Sequence, residues 1–215
     1  MIVITAYISL TARKIIRFCL ADTIKEMQDY KDTIEVDPKV MTPGDHKNLS
    51  LNIHRLSSWA LHIIDRILLA HDRCAGLVPR LAQIIYNIFE GRSTGLGMIG
   101  LRVCFARVLS FILLDPVLYH VTPLLGGYEG VRHMSIIITI LNHFIIDAPF
   151  TDSHMLEFNK VIEKRRGIFA AYLNAILDTQ IIDGTVAQVW CTYILMISLP
   201  RYYGVTTHFT MTLIN

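Results

Sequence analysis

The chain has 215 residues, of which 53% are hydrophobic, and it carries 20 Lys and Arg side chains against 18 Asp and Glu. A net charge of +2 provides no broad basic surface for a nucleic-acid backbone, so we expect no nucleic-acid partner. The length suits one domain with a sizeable hydrophobic core.

The first clear element is an apolar stripe whose spacings of three and four residues predict a long amphipathic helix from about Leu49. Its members are Leu49, Ile53, Leu56, Ala60, Ile63, Ile64 and Ile67. A second helix begins near Pro79 and ends at Gly91, which is suited to a left-handed C-terminal cap. The stripe of this second helix is formed by Leu81, Ile85, Ile88 and Phe89.

A glycine-rich segment, from Gly91 to Gly100, comes next and predicts a connection between helices. From Leu101 to Leu114 the chain is apolar almost all round, which indicates a helix enclosed by others. Pro116 ends this helix, because proline disfavours a helical residue before it.

Two more helices are predicted further on. One runs to about Asp147, and a long one follows that Thr151 or Asp152 can cap. The β-branched run from Ile136 to Ile138 lacks an alternating surrounding pattern, so no strand is predicted there. The two apolar stripes are Val131, Met134, Ile138 and Leu141, then Met155, Phe158, Ile162, Phe169, Tyr172, Leu173 and Ile176. Successive helices with short connections predict an all-α, multi-helix bundle.

The cysteines and the apolar segments indicate whether the protein is cytosolic or membrane-associated. Cys19, Cys74, Cys104 and Cys191 show no paired spacing, which is typical of reduced thiols in a cytosolic protein. The longest uncharged stretch, residues 184–200, falls just short of the ~20 apolar residues that a membrane span needs. A membrane-associated helical protein therefore stays as an alternative, although no integral membrane segment is expected.

Several motifs are similar to nucleotide-binding or metal-binding sequences, but their sequence contexts do not support those functions. Residues 95–100 match GxGxxG, yet a helix precedes them instead of a strand, so an interhelical loop is predicted and not a phosphate site. His62, His71 and Cys74 lack a standard zinc spacing and a fourth ligand, so no metal is expected. No GxxxxGK[ST] sequence occurs. The charged residues from 157 to 166 indicate a solvated helix face.

Three stretches, taken in order, resemble the GTPase-activating domain of Ras regulators. They are residues 18–20 (FCL) with 34–38 (IEVDP), then 105–116 (FARVLSFILLDP), then 150–162 (FTDSHMLEFNKVI). The resemblance spans about residues 9–178. It implies a RasGAP-like helical domain over residues 1–178, whose N-terminal finger-loop region is missing or degenerate. Residues 179–215 then form a C-terminal extension that can hold one further helix.

In this family an arginine finger enters the active site of the GTPase and stabilises charge on the transferring phosphoryl group. The resemblance places Tyr7 at the finger position, and tyrosine cannot present a fixed bidentate cation. Arg107 matches the arginine that braces the finger loop, which implies hydrogen bonds to a loop backbone. A buried ion pair that serves packing alone is the open alternative for Arg107.

The same resemblance implies a GTPase-binding surface. Its residues are Phe105, Arg107, Arg132, Thr139 and Asn142. Thr139 replaces a lysine that in the family helps to hold the GTPase, and Phe111 replaces a proline of the family block.

The function implied is regulation of a partner enzyme, with no catalysis by the chain itself. The partner is a Ras-family small GTPase in its GTP-bound form, whose hydrolysis the chain promotes with impaired capacity. The nucleotide and magnesium belong to the GTPase, so no cofactor is expected in the chain. The alternative is a catalytically silent pseudo-GAP scaffold that keeps the fold alone. The expected location is the cytoplasm. When the partner GTPase is bound to the inner membrane, the chain is expected at the membrane periphery through that partner.

Overall fold

The computed structural model describes residues 13–30, 32, 34–41, 46–70, 77–119, 121–122 and 128–178. Within these ranges the chain folds into six α-helices with two short 3₁₀ segments, His46–Asn48 and Leu156–Phe158, and no strand. The all-α prediction is confirmed. The α-helices are α1 (Arg13–Asp29), α2 (Leu49–Leu69), α3 (Leu77–Glu90), α4 (Leu96–Leu114), α5 (Tyr128–Ile146) and α6 (Asn159–Asp178).

Helix α4 packs between α3 and α5, while α2 contacts α1, α5 and α6. Helices α4 and α5 are antiparallel. Arg102, near the start of α4, meets Asp147 just beyond the end of α5, and Ser110 further along α4 meets Asn142. The helices bury most of their apolar stripes against one another, which is the dominant favourable contribution to folding. Val131 of the predicted α5 stripe is an exception, with 57% exposure. The largest fully buried side chains include Leu20, Ile24, Met27, Leu56, Ile63, Ile64, Leu113, Ile137, Ile140, Leu141 and Phe158.

The glycine-rich motif lies at the start of α4, and here the predicted boundary was wrong. Helix α4 begins at Leu96 and not at Leu101, so most of the motif is helical. A Cβ atom at Gly100 would lie 2.2 Å from the Phe89 ring, and one at Gly97 would lie 2.7 Å from the Tyr86 ring. These glycines therefore allow α3 and α4 to approach closely. The left-handed residue of the connection is Gly95, at φ 87°, and Gly91 is not left-handed as its predicted cap role required.

The start of the last helix also differs from the prediction. Helix α6 begins at Asn159, after a turn and a 3₁₀ segment, and neither Thr151 nor Asp152 caps it. The amide of Asn159 explains this boundary, because its Oδ1 accepts the N–H of Phe150 at 2.7 Å and its Nδ2 donates to the carbonyl of Phe150 at 3.1 Å. The side chain thereby folds residues 150–158 back onto the helix start.

Residues Ile136 to Ile138 are helical and buried, as the missing alternation predicted. Among the described helices, Leu96–Leu114 is long and apolar enough to cross a membrane by length and composition. Buried core helices pass the same test, and α4 packs against α3 and α5. However, 39% of its apolar window is buried, and Ile99, Val108 and Leu114 are exposed, so the predicted enclosure by other helices is confirmed only in part.

Candidate functional site

A cleft of about 250 Å³ lies between α4 and α5 and contains two of the residues that the family resemblance selects. Its lining is Val103, Ala106, Arg107, Ser110, Asn142, His143, Ile146 and Ala148. Arg107 is half-buried in an otherwise largely apolar helix. The cleft therefore places a guanidinium, a hydroxyl and an amide beside aliphatic side chains.

The polar contact at the centre of the cleft joins the two helices. Ser110 Oγ lies 2.9 Å from Asn142 Oδ1 and 2.8 Å from the backbone carbonyl of Ala106. Sequence reasoning selected Asn142 but missed Ser110 and His143. The sequence spacing could have indicated Ser110, because it follows Arg107 by three residues and residues three apart lie on the same face of a helix.

The other predicted binding residues lie elsewhere. Thr139 is exposed on α5, and its hydroxyl donates to the carbonyl of Ser135 at 3.0 Å. Phe105 packs edge-on against Phe169 of α6, with ring centroids 5.9 Å apart, so it belongs to the hydrophobic core margin. Tyr7 lies outside the described residues.

Arg132 is engaged with Glu35, which lies in the segment between α1 and α2. Its Nε donates to Glu35 Oε2 at 2.8 Å, and a terminal nitrogen lies 2.7 Å from the same oxygen. The Glu35 side chain is 6% exposed, and its other oxygen accepts the backbone N–H groups of Val36 and Asp37 at 2.8 and 2.9 Å. Each carboxylate oxygen thus has its own donors, as a buried charge requires.

Two further side chains hold the backbone of this segment. Asn52 of α2 donates from Nδ2 to the carbonyl of Glu35 at 2.9 Å. His133 of α5 accepts the N–H of Ile34 at 3.1 Å. We call Ile34, Glu35, Asn52, Arg132 and His133 the Glu35 clamp, because they attach the segment to both α2 and α5.

One end of the cleft carries an ion-pair junction on Asp147. This residue has a left-handed backbone, φ 64°, and its carboxylate lies 2.6 Å from Arg166 Nε of α6 and 3.6 Å from Arg102 Nη1 of α4. Arg165 pairs with Asp65 of α2 through two hydrogen bonds of 2.8 and 3.1 Å. The predicted solvated face of residues 157–166 is confirmed for Arg166, whose side chain is 49% exposed. Arg165 differs, because its side chain is 22% exposed and links α6 to α2.

The possible phosphate site at the start of α4 already has an occupant. Glu90, the last residue of α3, accepts the N–H groups of Gly95 and Gly97 at 2.9 and 2.8 Å. These bonds, first that of Gly95 and then that of Gly97, lower the pKa of Glu90 below its usual value of 4.5. A carboxylate at a helix N-terminus satisfies the amides that an external anion would need. The geometry agrees with the prediction that this motif is not a nucleotide site.

We expect Glu90→Gln to destabilise the fold at neutral pH, because a neutral amide is a weaker acceptor for two N–H groups. The lowered pKa means that the carboxylate stabilises the folded state above pH 4.5 and loses that effect as pH falls through the folded pKa. The urea midpoints of the wild type and variant, compared with the exposed control Glu163→Gln, should differ at about pH 7 and differ less near about pH 3. An equal difference at both pH values would contradict this role.

Of the three zinc candidates, His62 is the one that lies in the described part of the chain. His62 Nε2 accepts from Arg66 Nε at 3.3 Å, and its Nδ1 lies 3.1 Å from the hydroxyl of Thr23. His71 and Cys74 lie outside the described residues. No group of three or more metal-ligating side chains occurs within the described ranges.

Comparison of the chain with protein-family models and with curated proteins finds no match. The fold and the cleft therefore define an all-helical protein with an interhelical groove, and the family assignment stays a proposal.

Proposed function

We propose that the chain is a GTPase-activating-type regulator of the Ras GTPase-activating fold. It binds a Ras-family small GTPase in its GTP-bound form along the cleft between α4 and α5 and promotes GTP hydrolysis with impaired capacity. The catalytic centre in this proposal belongs to the GTPase, which holds the nucleotide and the magnesium ion.

The observation that carries the proposal is the placement of the family-like block within the fold. Residues 105–114 of this block form the second half of α4, and Asp115 follows directly as the cap of that helix. Arg107 from the block shares one cleft with Asn142, which the resemblance selects independently on α5. Two motif positions separated by 35 residues in the sequence thus lie at one surface, as a shared binding role requires.

A second candidate function, a catalytically silent pseudo-GAP scaffold, is favoured by two residue identities. Tyr7 occupies the finger position of the resemblance and offers no cation to the transferring phosphoryl group. Thr139 replaces the binding lysine, and its hydroxyl is bonded back to the carbonyl of Ser135. Both changes weaken the activating function more than they weaken the fold.

The binding part of the proposal is tested by adding back the missing lysine. We expect Thr139→Lys to tighten binding to Ras loaded with a non-hydrolysable GTP analogue about tenfold, the effect of one charge-assisted hydrogen bond. Ser135→Lys is the matched control, since Ser135 is also exposed on α5 and lies one turn away. Titration calorimetry with the GTP-analogue and GDP forms measures the affinities.

Three outcomes separate the candidates. Preference for the GTP-analogue form, together with faster single-turnover hydrolysis in the presence of the wild-type chain, supports the regulator. Binding of the GTP-analogue form without acceleration favours the scaffold. Absence of binding to either nucleotide form, for the wild type and for Thr139→Lys, would sink both candidates.

A further inference from the structure

His133 is a fully buried titratable group that the proposed function does not use. It lies on α5, its exposure is 0%, and its Nε2 accepts the backbone N–H of Ile34 at 3.1 Å. An acceptor nitrogen must carry a lone pair, so this contact requires a neutral imidazole with its proton on Nδ1. The hydrogen bond therefore depends on the protonation state of a single buried ring.

The complete burial of His133 disfavours a positive charge on its ring, because a charged imidazole would lose its hydration there. The rings of Tyr30, from the end of α1, and Trp59, from α2, lie 6.1 and 5.9 Å from its centroid. Arg55 of α2 lies 4.1 Å over the Tyr30 ring, so a cation is already present on that side. Asp32 hydrogen-bonds to Tyr30.

The carboxylate nearest in sequence to the contact is already used. Glu35 is the residue after Ile34, and both of its oxygens accept hydrogen bonds, from Arg132 on one side and from two backbone amides on the other. A proton on Nε2 of His133 would bring no new ion pair with Glu35 while that arrangement persists. It would instead place a cation beside Arg132, the preceding residue of α5.

We propose that His133 is a pH-sensitive latch that holds residues 34–37 against α5 and releases them when its ring takes up a proton. Protonated Nε2 is a donor, so it opposes the N–H of Ile34 and the hydrogen bond is lost. The released segment carries Glu35, and its departure removes the partner of Arg132 from the same helix. The inference concerns the chain alone and does not depend on the proposed GTPase partner.

The direction of the pH effect follows from linkage. The latched state binds no proton at His133, whereas the released ring binds one below the ordinary histidine pKa of ~6.5. The latched state is therefore favoured above that pH, and its population decreases as the pH falls. We take the His133 ring to have a pKa of ~6.5 in the released state and to stay neutral in the latched state. The equilibrium constant for release then increases about tenfold as the pH falls from about 7.5 to about 5.5.

Hydrogen exchange at the Ile34 amide, corrected for the intrinsic pH dependence of exchange, measures the release. We expect the protection of this amide to fall about tenfold between those pH values in the wild type. In His133→Gln the amide oxygen can still accept the N–H of Ile34 but does not titrate, so protection should change less than twofold. His54→Gln, at an exposed position of α2, is the matched control and should behave as the wild type does.

A second measurement needs no variant. Two-bond ¹⁵N–¹H NMR of the wild-type protein should show His133 as the neutral Nδ1–H tautomer at about pH 7.5. A protonated ring or the Nε2–H tautomer at that pH would overturn the latch, because neither can accept the N–H of Ile34. An equal loss of protection in the wild type and in His133→Gln, or unchanged protection in the wild type down to about pH 5.5, would overturn it as well.

Discussion

Tyr7→Arg is expected to raise single-turnover GTP hydrolysis by a saturated Ras partner about 10³-fold over the wild-type chain. This magnitude is the lower bound of the contribution of an arginine finger. A guanidinium presents several N–H donors in a rigid plane that fits the oxygens of the transferring phosphoryl group, and tyrosine supplies no charge there. The prediction rests on the family-like alignment that places Tyr7 at the finger position, since residue 7 lies outside the described ranges.

Matched substitutions at the same position separate the finger from general effects of charge. Tyr7→Lys supplies a point charge without the planar fork, so a much smaller gain is expected. Tyr7→Ala should leave the rate at the wild-type level. If the arginine variant accelerates hydrolysis no more than the lysine and alanine variants do, Tyr7 does not occupy the finger position. Binding of the GTP-analogue form would then remain as the property of a scaffold.

Arg132→Ala is expected to lower the free energy of unfolding by about 3 kcal/mol, because it leaves the Glu35 carboxylate buried without its cation. The value lies at the lower end of the range for such pairs, since the Arg132 side chain is 37% exposed and water can partly replace it. The two backbone amides on the other oxygen also remain. Urea denaturation at neutral pH measures the loss.

An exposed ion pair between α6 and the 3₁₀ segment before it provides the control for this substitution. Lys160 contacts Glu157, and their side chains are 75% and 56% exposed, so Lys160→Ala should change stability by less than about 1 kcal/mol. A loss for Arg132→Ala no larger than that of the control would show that the amides alone satisfy Glu35. The resemblance selects Arg132 for GTPase binding, and its contact with Glu35 predicts that its removal also acts through the fold.

Five of the six described helices were predicted from the sequence, because apolar patterning reports which face of a helix is buried, whereas α1 was not among the predicted elements. Helix α2 begins at Leu49 as predicted, and the β-branched run in α5 is helical as expected. The errors lie at helix boundaries, where side chains five to nine residues away along the chain bind backbone groups. Glu90 does so for the first turn of α4, and Asn159 holds back Phe150 before α6 begins.

The candidate site likewise combines residues that the sequence predicted with residues that only the tertiary fold brings together. The resemblance selected Arg107 and Asn142, and the fold brings them to one cleft with Ser110 and His143, neither of which was predicted to be a binding residue. It also selected Arg132, whose guanidinium the fold directs to Glu35, 97 residues away in the sequence. No local pattern encodes such a pairing, because it depends on how α5 lies against the segment between α1 and α2.

The sequence alone determined that the described part of this protein is all-helical, since the spacing of apolar residues is a local property that hydrophobic burial converts directly into helix faces. Only the tertiary structure decided what the polar residues do. A buried carboxylate, imidazole or guanidinium is defined by its partners, and those partners come from other elements. The Glu35 clamp, the occupied amides at the start of α4 and the cleft between α4 and α5 therefore exist only in the packed molecule.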